Sequence, residues 1–211
     1  MEKPTRTFAA FTIDPSVKEE IGRLSREAAA TPEGRELRWV KPEVMHLTVR
    51  FFGDLDRKQV ARARTAISGL DGAWEAPSLR LGHIGAFPSL RRAQVVWLGL
   101  EDEKEGALAA LAAQADHAIR VSGFGPADKP FVGHITLART PRGGGRAPEL
   151  TAWAARLTVP QTAFTIRTIT LFESDLRPEG PVYTPLAIAH PRVPGEGTAG
   201  DRDRSDPANE P

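Results

Sequence analysis

Apolar residues along the chain follow two spacings, and the change from one to the other marks strands and helices. Segment 6–13 (RTFAAFTI) is short and nearly continuously apolar, which indicates a buried strand. Asp14 followed by Pro15 is a typical helix start, so a helix is predicted from there to about Ala30. The rest of the first half gives a short extended segment at 37–40, a strand at 45–52 and a helix at 56–67.

The second half begins with alternating residues at 79–84 and a strongly β-forming run at 94–100. A loop is predicted between these two runs, at 85–89, because that segment contains Gly and Pro. The Ala- and Leu-rich segment 103–121 is the clearest helix, and 131–138 is again a strand. The remaining predicted elements are a Gly-rich loop at 141–145, a short helix at 150–157 and strands at 162–173 and 182–189.

The order of these elements resembles a loose duplication, with a helix before and a helix after one particular strand in each half. This order predicts an α+β fold of two similar lobes, each a mainly antiparallel sheet with outer helices, that enclose a central cleft. The predicted domain covers residues 1–192. Residues 193–211 contain Pro, Gly and charges with almost nothing apolar, and we expect a disordered acidic tail there.

A tetrapeptide pattern occurs once in each half: His46-Leu47-Thr48-Val49 and His134-Ile135-Thr136-Leu137. In a strand, side chains two positions apart share a face, so each copy places one imidazole beside one hydroxyl. Two imidazoles can supply an acid and a base near neutral pH, and two hydroxyls can hold a phosphoryl oxygen. A single histidine on an apolar strand is more often structural, and chance can produce two such strands. The repeated spacing nevertheless favours a catalytic site.

Composition narrows the chemistry of that site. The 211 residues include no cysteine, which excludes disulfides, thiolate metal ligands and a cysteine nucleophile. The net charge is +1, but the residues after Val193 carry a net −3, so the remainder carries +4. This mildly basic body suits a small anionic ligand or a nucleic-acid end better than a long duplex groove.

The sequence also bears on where the protein resides in the cell and on whether it binds a metal ion or a nucleotide through a known motif. No stretch approaches the roughly 20 apolar residues of a membrane span, and the first residues lack a secretory signal. We therefore expect a cytoplasmic monomer without membrane association. The five histidines form no zinc-site motif, and Gly143-Gly144-Gly145 lacks the Lys that follows in a phosphate-binding loop. His83, His117 and His190, which have no Thr partner, are interpreted as structural or surface residues.

The residues around both motifs resemble the 2H phosphoesterases. The matching blocks are Arg38-Trp39-Val40 before HLTVRFFGDL, Gly85-Ala86-Phe87-Pro88 before VVWLG, KPFVGHITLAR at 129–139, and LFES with GPVY at 171–174 and 180–183. Together they extend from about Arg6 to His190 and are most similar to the RNA 2′,3′-cyclic phosphodiesterases, historically called 2′-5′ RNA ligases. Lys129 and Gly133 stand where this branch usually has Arg and Pro.

The resemblance implies hydrolysis of the 2′,3′-cyclic phosphate at an RNA end, or of a cyclic nucleotide, to a 2′-phosphomonoester, without metal or cofactor. It implies that His46 donates a proton to the leaving oxygen and that His134 accepts one from water. Thr48 and Thr136 would then donate hydrogen bonds to the non-bridging oxygens, where negative charge grows in the transition state. A bell-shaped pH profile should follow, because the scheme needs one neutral and one protonated imidazole.

Three further residues are predicted to bind substrate. Arg139 matches an arginine that contacts substrate in this family, although it can face the site only if a bulge or a strand end intervenes after His134. Phe87, in the predicted loop, could stack on a base. Arg50 shares the alternation of His46 and could reach the phosphate, or it could be a solvated strand-end residue. Trp39 and Trp97 are predicted to be core residues.

Two other functions remain open at this stage. The same site could run the reverse reaction, 2′-5′ ligation, since both reactions share a phosphorane geometry. The chain could also be a non-catalytic module that binds RNA ends or nucleotides.

Overall fold

The computed structural model describes residues 4–141 and 149–193. Its nine strands in this part of the chain are β1 Thr5–Phe11, β2 Arg38–Trp39, β3 Leu47–Leu55, β4 Ser78–Phe87, β5 Val95–Asp102, β6 His134–Arg139, β7 Ala163–Thr165, β8 Ile169–Arg177 and β9 Gly180–Ala189. The helices are α1 Pro15–Ala30, α2 Pro32–Arg35, α3 Arg57–Ser68, α4 Ala107–Val121 and α5 Thr151–Arg156, with short 3₁₀ turns at Pro42–Val44 and Leu90–Arg92.

The strands form two sheets in which every neighbouring pair is antiparallel. One sheet has the order β3-β1-β8-β9, and the other has the order β2-β6-β5-β4-β7. Each sheet contains one motif strand, β3 in the first and β6 in the second. The predicted α+β class with two mainly antiparallel sheets and helices is confirmed.

The two sheets do not correspond to the two halves of the chain. The last strands, β8 and β9, complete the first sheet, while β2 from the first half belongs to the second sheet. The reason lies in β1, where Ala9, Ala10 and Phe11 are fully buried. A strand buried on both faces needs a partner on each edge, and β8 supplies the edge that β3 leaves open.

A single hydrophobic cluster joins both sheets and their helices. It includes the buried face of α1 at Val17, Ile21 and Leu24, and it continues through Leu98 and Ile135 of the second sheet. Asp14 occupies the predicted cap position of α1, but its side chain pairs with Arg167 instead of capping the helix. The two sheets are therefore held at a fixed distance by shared packing, which fixes the relative position of the two motif strands.

The predicted loop at 85–89 is wrong in its first three residues. Strand β4 runs through Phe87, which pairs with Val95, before a cis Phe87–Pro88 bond ends it. Gly85 marks a close contact rather than a turn, since a Cβ placed there would collide with the Trp97 ring. The glycine at position 85 was interpreted as a loop residue, but it is required because Trp97 packs against the strand there.

Several element ends also differ from their predicted positions. Helix α4 begins at Ala107 rather than at 103, and the predicted strand 162–173 is divided into β7 and β8. Most of the predicted Gly-rich loop, and the tail after Val193, lie outside the described residues. Within the described part, no helix is long and apolar enough to cross a membrane.

Candidate active site

The two motif strands meet across a cleft of about 1070 Å³. Thr48 near the start of β3, and His46 directly before that strand, line it from the first sheet. His134 and Thr136, at the start of β6, line it from the second. Each strand presents the imidazole and the hydroxyl on the same face, as the two-residue spacing requires. The structure thus brings the two halves of the repeated motif, 88 residues apart in sequence, to one site.

A bulge in β6 turns Arg139 into the cleft. Thr136 pairs with Trp97 and Ala138 pairs with the preceding Val96, so Leu137 is the extra residue without a partner on β5. One extra residue shifts the alternation by one, so Arg139 comes to the face of His134 and Thr136. Arg139 accordingly lines the cleft. The structure therefore contains the bulge after His134 that Arg139 needs in order to face the site.

A matching bulge in β3 has the opposite consequence for Arg50. Ala9 pairs with Arg50 and Ala10 pairs with Thr48, which leaves Val49 as the extra residue directly after the motif threonine. The alternation is reversed from that point, so Arg50 leaves the cleft face and Phe51 takes it. Phe51 lines the cleft and is 61% exposed, while Arg50 is buried. The structure therefore places Arg50 outside the cleft, contrary to the simple alternation used in the sequence analysis.

Arg50 instead ties the first motif strand to the segment that leads to the second. Its guanidinium lies 2.6 Å from the Asp116 carboxylate on α4. It also donates to the Pro126 carbonyl at 3.1 Å and to the Gly125 carbonyl. These contacts satisfy a cation that is only 8% exposed, so its role in this structure is to hold β3, α4 and the 125–126 segment together.

Replacing Arg50 with Met is expected to lower the free energy of unfolding by about 3 kcal/mol, since it leaves the Asp116 carboxylate and two carbonyls without their donor. Urea denaturation would measure the change. Arg156→Met is the matched control, since Arg156 lies the same 2.6 Å from Glu33 but is 60% exposed. That control should cost less than about 1 kcal/mol. Equal losses in the two variants would contradict a structural role that depends on burial.

Both catalytic candidates are oriented by a backbone carbonyl two residues earlier. His46 Nδ1 lies 2.8 Å from the Val44 carbonyl oxygen, and His134 Nδ1 lies 2.8 Å from the Val132 carbonyl oxygen. A carbonyl can only accept, so Nδ1 carries the hydrogen in both rings and Nε2 is left to exchange protons. The sequence contains a sign of this, since Val precedes both histidines by two residues. This shared valine was not among the predicted features.

The first motif also has an internal hydrogen bond. His46 Nε2 lies 3.1 Å from Thr48 Oγ1. Because Nδ1 holds the hydrogen of a neutral ring, the hydroxyl is the donor in this pair. An anionic oxygen entering the cleft could take the place of Nε2 as the acceptor of that hydroxyl.

Both histidines favour the neutral form in the unliganded site. Burial lowers the pKa of His46 to about 4, the Val44 carbonyl acts to raise it, and the nearby charges of Lys18, His134 and Arg139 lower it further. Burial likewise lowers the pKa of His134, with the Val132 carbonyl opposing and the Arg139 charge adding to the shift. A bound anion would offset these effects for both rings.

Aromatic side chains surround each histidine. On the first sheet, the Phe8 ring lies 4.7 Å from His46 and contacts Phe51, Phe172 and Tyr183 at 4.9–5.7 Å. Tyr183, the only tyrosine of the chain, lines the cleft and meets His46 edge-on. Burial raises its pKa, so its hydroxyl stays protonated at neutral pH. None of these aromatic residues was predicted as part of the site, because β1 is a continuously buried strand and shows no alternation that would single out Phe8.

Phe87 and Trp97 support His134. The Phe87 ring meets His134 edge-on at 5.1 Å and lies 5.4 Å from Trp97, which is itself 6.2 Å from His134. Phe87 is half-buried and is not among the residues that line the cleft. Trp97 is also half-buried, and Trp39 both packs against the core cluster and lines the cleft, so neither tryptophan is fully buried as a core residue would be.

The remaining histidines lie elsewhere. His83 and His117 are exposed, and exposed His190 contacts the Asp71 carboxylate at 3.2 Å. Among residues 4–141 and 149–193, no three His, Cys, Asp or Glu side chains are grouped as metal ligands would be.

Known proteins are similar to most of this chain. The RNA 2′,3′-cyclic phosphodiesterase of Methanothermobacter thermautotrophicus is 26% identical over 185 residues, 87% of this chain and 97% of that protein. The protein of the same name from Archaeoglobus fulgidus is 27% identical over 184 residues, 87% and 98% of the respective chains.

Solved structures share the fold. Escherichia coli LigT in its apo form has a TM-score of 0.68 at 24% identity, covering 91% of this chain and all of that one. The protein TT0787 of Thermus thermophilus has a TM-score of 0.65 at 28% identity, covering 89% and 98%. The family described as LigT like Phosphoesterase matches residues 11–97 and again 98–183. Since these two matches span both motif strands and both sheets, the chain belongs to the LigT-like phosphoesterase family.

Proposed function

We propose that this protein hydrolyses RNA or nucleotide 2′,3′-cyclic phosphodiesters to 2′-phosphomonoesters, with His46 and His134 as a metal-independent acid and base. The observation that carries the proposal is the paired arrangement of the motifs. Two imidazoles enter one cleft, each with Nδ1 fixed on a carbonyl and each with a threonine hydroxyl on the same face. The curated relatives named RNA 2′,3′-cyclic phosphodiesterase support the substrate class.

The proposed step moves two protons and exchanges one phosphorus–oxygen bond. Water attacks phosphorus while neutral His134 takes a proton from it through Nε2. The bond from phosphorus to the 3′-oxygen breaks, and protonated His46 gives its Nε2 proton to that oxygen. The product carries a 2′-phosphate and a free 3′-hydroxyl. The histidines finish with exchanged protonation states and return to their starting states by exchange with solvent.

The groups around the histidines stabilise the charge that develops on phosphorus. The Thr48 and Thr136 hydroxyls donate to the two non-bridging oxygens, which carry more charge in the phosphorane than in the substrate. Arg139 adds a cation at the same face of β6. These donors are held by strands and not by loops, so little reorganisation is needed during the reaction.

Two aromatic rings, Phe51 and Phe87, could stack on a base of the substrate, and the exposed ring of Phe51 is the better placed of the two. Phe51 lines the cleft at the position after its bulge that corresponds to Arg139 in the other motif strand. Phe87 supports the His134 ring edge-on. We therefore assign base stacking to Phe51 and positioning of His134 to Phe87.

The pH dependence follows from the lowered pKa values. The active form needs one protonated and one neutral histidine, so kcat/KM is largest between the two pKa values of the free protein. Both pKa values lie below the ordinary 6.5, with His46 near 4. We expect a bell-shaped kcat/KM profile with its maximum below pH 6.5. The kcat profile should lie at higher pH, because the bound anionic phosphodiester favours the protonated imidazoles.

Initial rates between pH 4 and 9 on a 2′,3′-cyclic nucleotide would give both profiles. A kcat/KM maximum above pH 7 would contradict the neutral histidine pair of the unliganded site. The alternative reaction, 2′-5′ ligation, would require a second RNA end, so its rate would fall on dilution of the RNA relative to hydrolysis.

A further inference from the structure

Two arginines face each other on neighbouring strands at the edge of the cleft. Arg38 on β2 is the direct cross-strand partner of Arg139 on β6, and both line the cleft. Side chains directly opposite in an antiparallel pair lie about 5 Å apart at Cβ, and like charges in that arrangement are destabilising. Within residues 4–141 and 149–193, no carboxylate forms an ion pair with either of these two guanidinium groups. An unpaired cation pair at a cleft edge indicates a position for an anion.

The charges elsewhere on the rim indicate one side of the cleft. On the β8–β9 hairpin, Arg177 already pairs with Asp175 at 2.8 Å, and Glu179 lines the cleft beside it. On the β2 side, exposed Lys41 adds a third cation to Arg38 and Arg139. Glu43 is the acid on this side, and its charge acts on Lys18, whose ammonium donates to the Glu43 carbonyl at 2.9 Å. A polyanion leaving the site is thus attracted to the β2 edge.

The β2 edge is also held in place. Trp39 donates its indole N–H to the Gly34 carbonyl at 2.8 Å, and its ring lies 6.4 Å from that of Trp153. The Val40 N–H donates to the carbonyl of Leu137, the bulged residue of β6, at 2.8 Å. Arg38 is therefore presented from a fixed backbone, which reduces the entropy lost when it binds an anion.

We propose that Arg38, with Arg139 and Lys41, forms a second phosphate subsite that binds the internucleotide phosphate on the 5′ side of the terminal nucleoside. Arg139 lines the same cleft as both histidines, and its charge acts to lower their pKa values, so it lies on the side of the reacting phosphate. Arg38 lies one strand farther out, where the next phosphate of a chain would follow. This inference rests on the proposed function and makes the substrate the 3′ end of an RNA strand in preference to a mononucleotide.

A neutral replacement of one phosphate tests the subsite. Two dinucleotides ending in a 2′,3′-cyclic phosphate would be compared, one with a normal internucleotide phosphate and one with a methylphosphonate. The corresponding 2′-phosphate products would be compared in binding by calorimetry. The natural protein should prefer the charged linkage about tenfold in kcat/KM and in product affinity, as expected for a charge-assisted contact. In Arg38→Gln this ratio should fall to about twofold or less.

Arg35→Gln is the matched control, because Arg35 is exposed, lies three residues earlier and does not line the cleft. It should keep the tenfold ratio. The subsite would be overturned if the natural protein showed the same kcat/KM and product affinity for both linkages. It would also be overturned if the preference for the charged linkage fell equally in Arg38→Gln and Arg35→Gln. A preference retained in binding without any turnover would support the subsite and would overturn the proposed hydrolysis instead.

Discussion

Replacing either His46 or His134 with alanine is expected to lower kcat on a 2′,3′-cyclic nucleotide by about a thousandfold or more, since each imidazole would carry one proton transfer. The rings share one cleft and each exposes only Nε2 for this purpose. Because the two act on the same transition state, the double variant should be little slower than the slower single variant. Steady-state rates of the four proteins would measure this coupling.

His117→Ala is the control for these variants, since His117 is exposed on α4 away from the cleft lining. It should keep kcat within about twofold. A substrate whose 3′ bridging oxygen is replaced by sulfur would separate the two roles, because a thiolate leaves without a proton. That substrate should restore much of the rate to His46→Ala and little to His134→Ala. Restoration of His134→Ala alone would reverse the assignment, and full activity in either single variant would exclude that histidine from the reaction.

Replacing Thr48 or Thr136 with valine is expected to lower kcat by about a hundredfold each, the usual effect of removing one donor to a developing anionic oxygen. Valine keeps the shape and the strand preference of threonine, so the sheets should be unchanged. The loss should appear mainly in kcat, because the non-bridging oxygens gain charge in the transition state. Measurement of kcat and KM separately would distinguish this from weaker binding of the substrate.

Thr184→Val provides the comparison, because Thr184 is an exposed strand residue beside Tyr183 that does not line the cleft. Its kcat should be unaffected. If the motif variants raised KM while kcat stayed constant, the hydroxyls would bind the ground state and would not stabilise the phosphorane.

The catalytic candidates could be found from sequence because their signal is local and repeated. The spacing His-x-Thr fixes which face of a strand each side chain takes, and two copies of it predicted one shared cleft. Helix α3 was equally accessible, since Asp56 accepts from the Gln59 N–H in a capping box that begins where the predicted helix does. These features depend on neighbours within a few residues.

The bulges after Thr48 and Thr136 could not be derived in that way. A bulge depends on which residue the partner strand offers, and the partners Ala9, Ala10, Val96 and Trp97 are distant in sequence. Strict alternation therefore allowed Arg50 either a place in the cleft or a solvated strand end, whereas Arg50 is buried and paired with Asp116. The alternation also missed Phe51. Family resemblance rather than pattern identified Arg139.

The assignment of strands to the two sheets also could not be predicted from the sequence. Local patterns identified β8 and β9 as strands, but they did not indicate which sheet these strands join. Their place beside β1 is decided by the need to pair both edges of a fully buried strand, which is a property of the whole fold.

The most direct test of the central claim is hydrolysis of an oligoribonucleotide with a 2′,3′-cyclic phosphate end in excess EDTA, with phosphorus NMR to identify the product. The two-histidine account predicts that turnover continues without added metal and yields a 2′-phosphomonoester. A requirement for metal, a 3′-phosphate product, or the absence of turnover by a folded protein would contradict it.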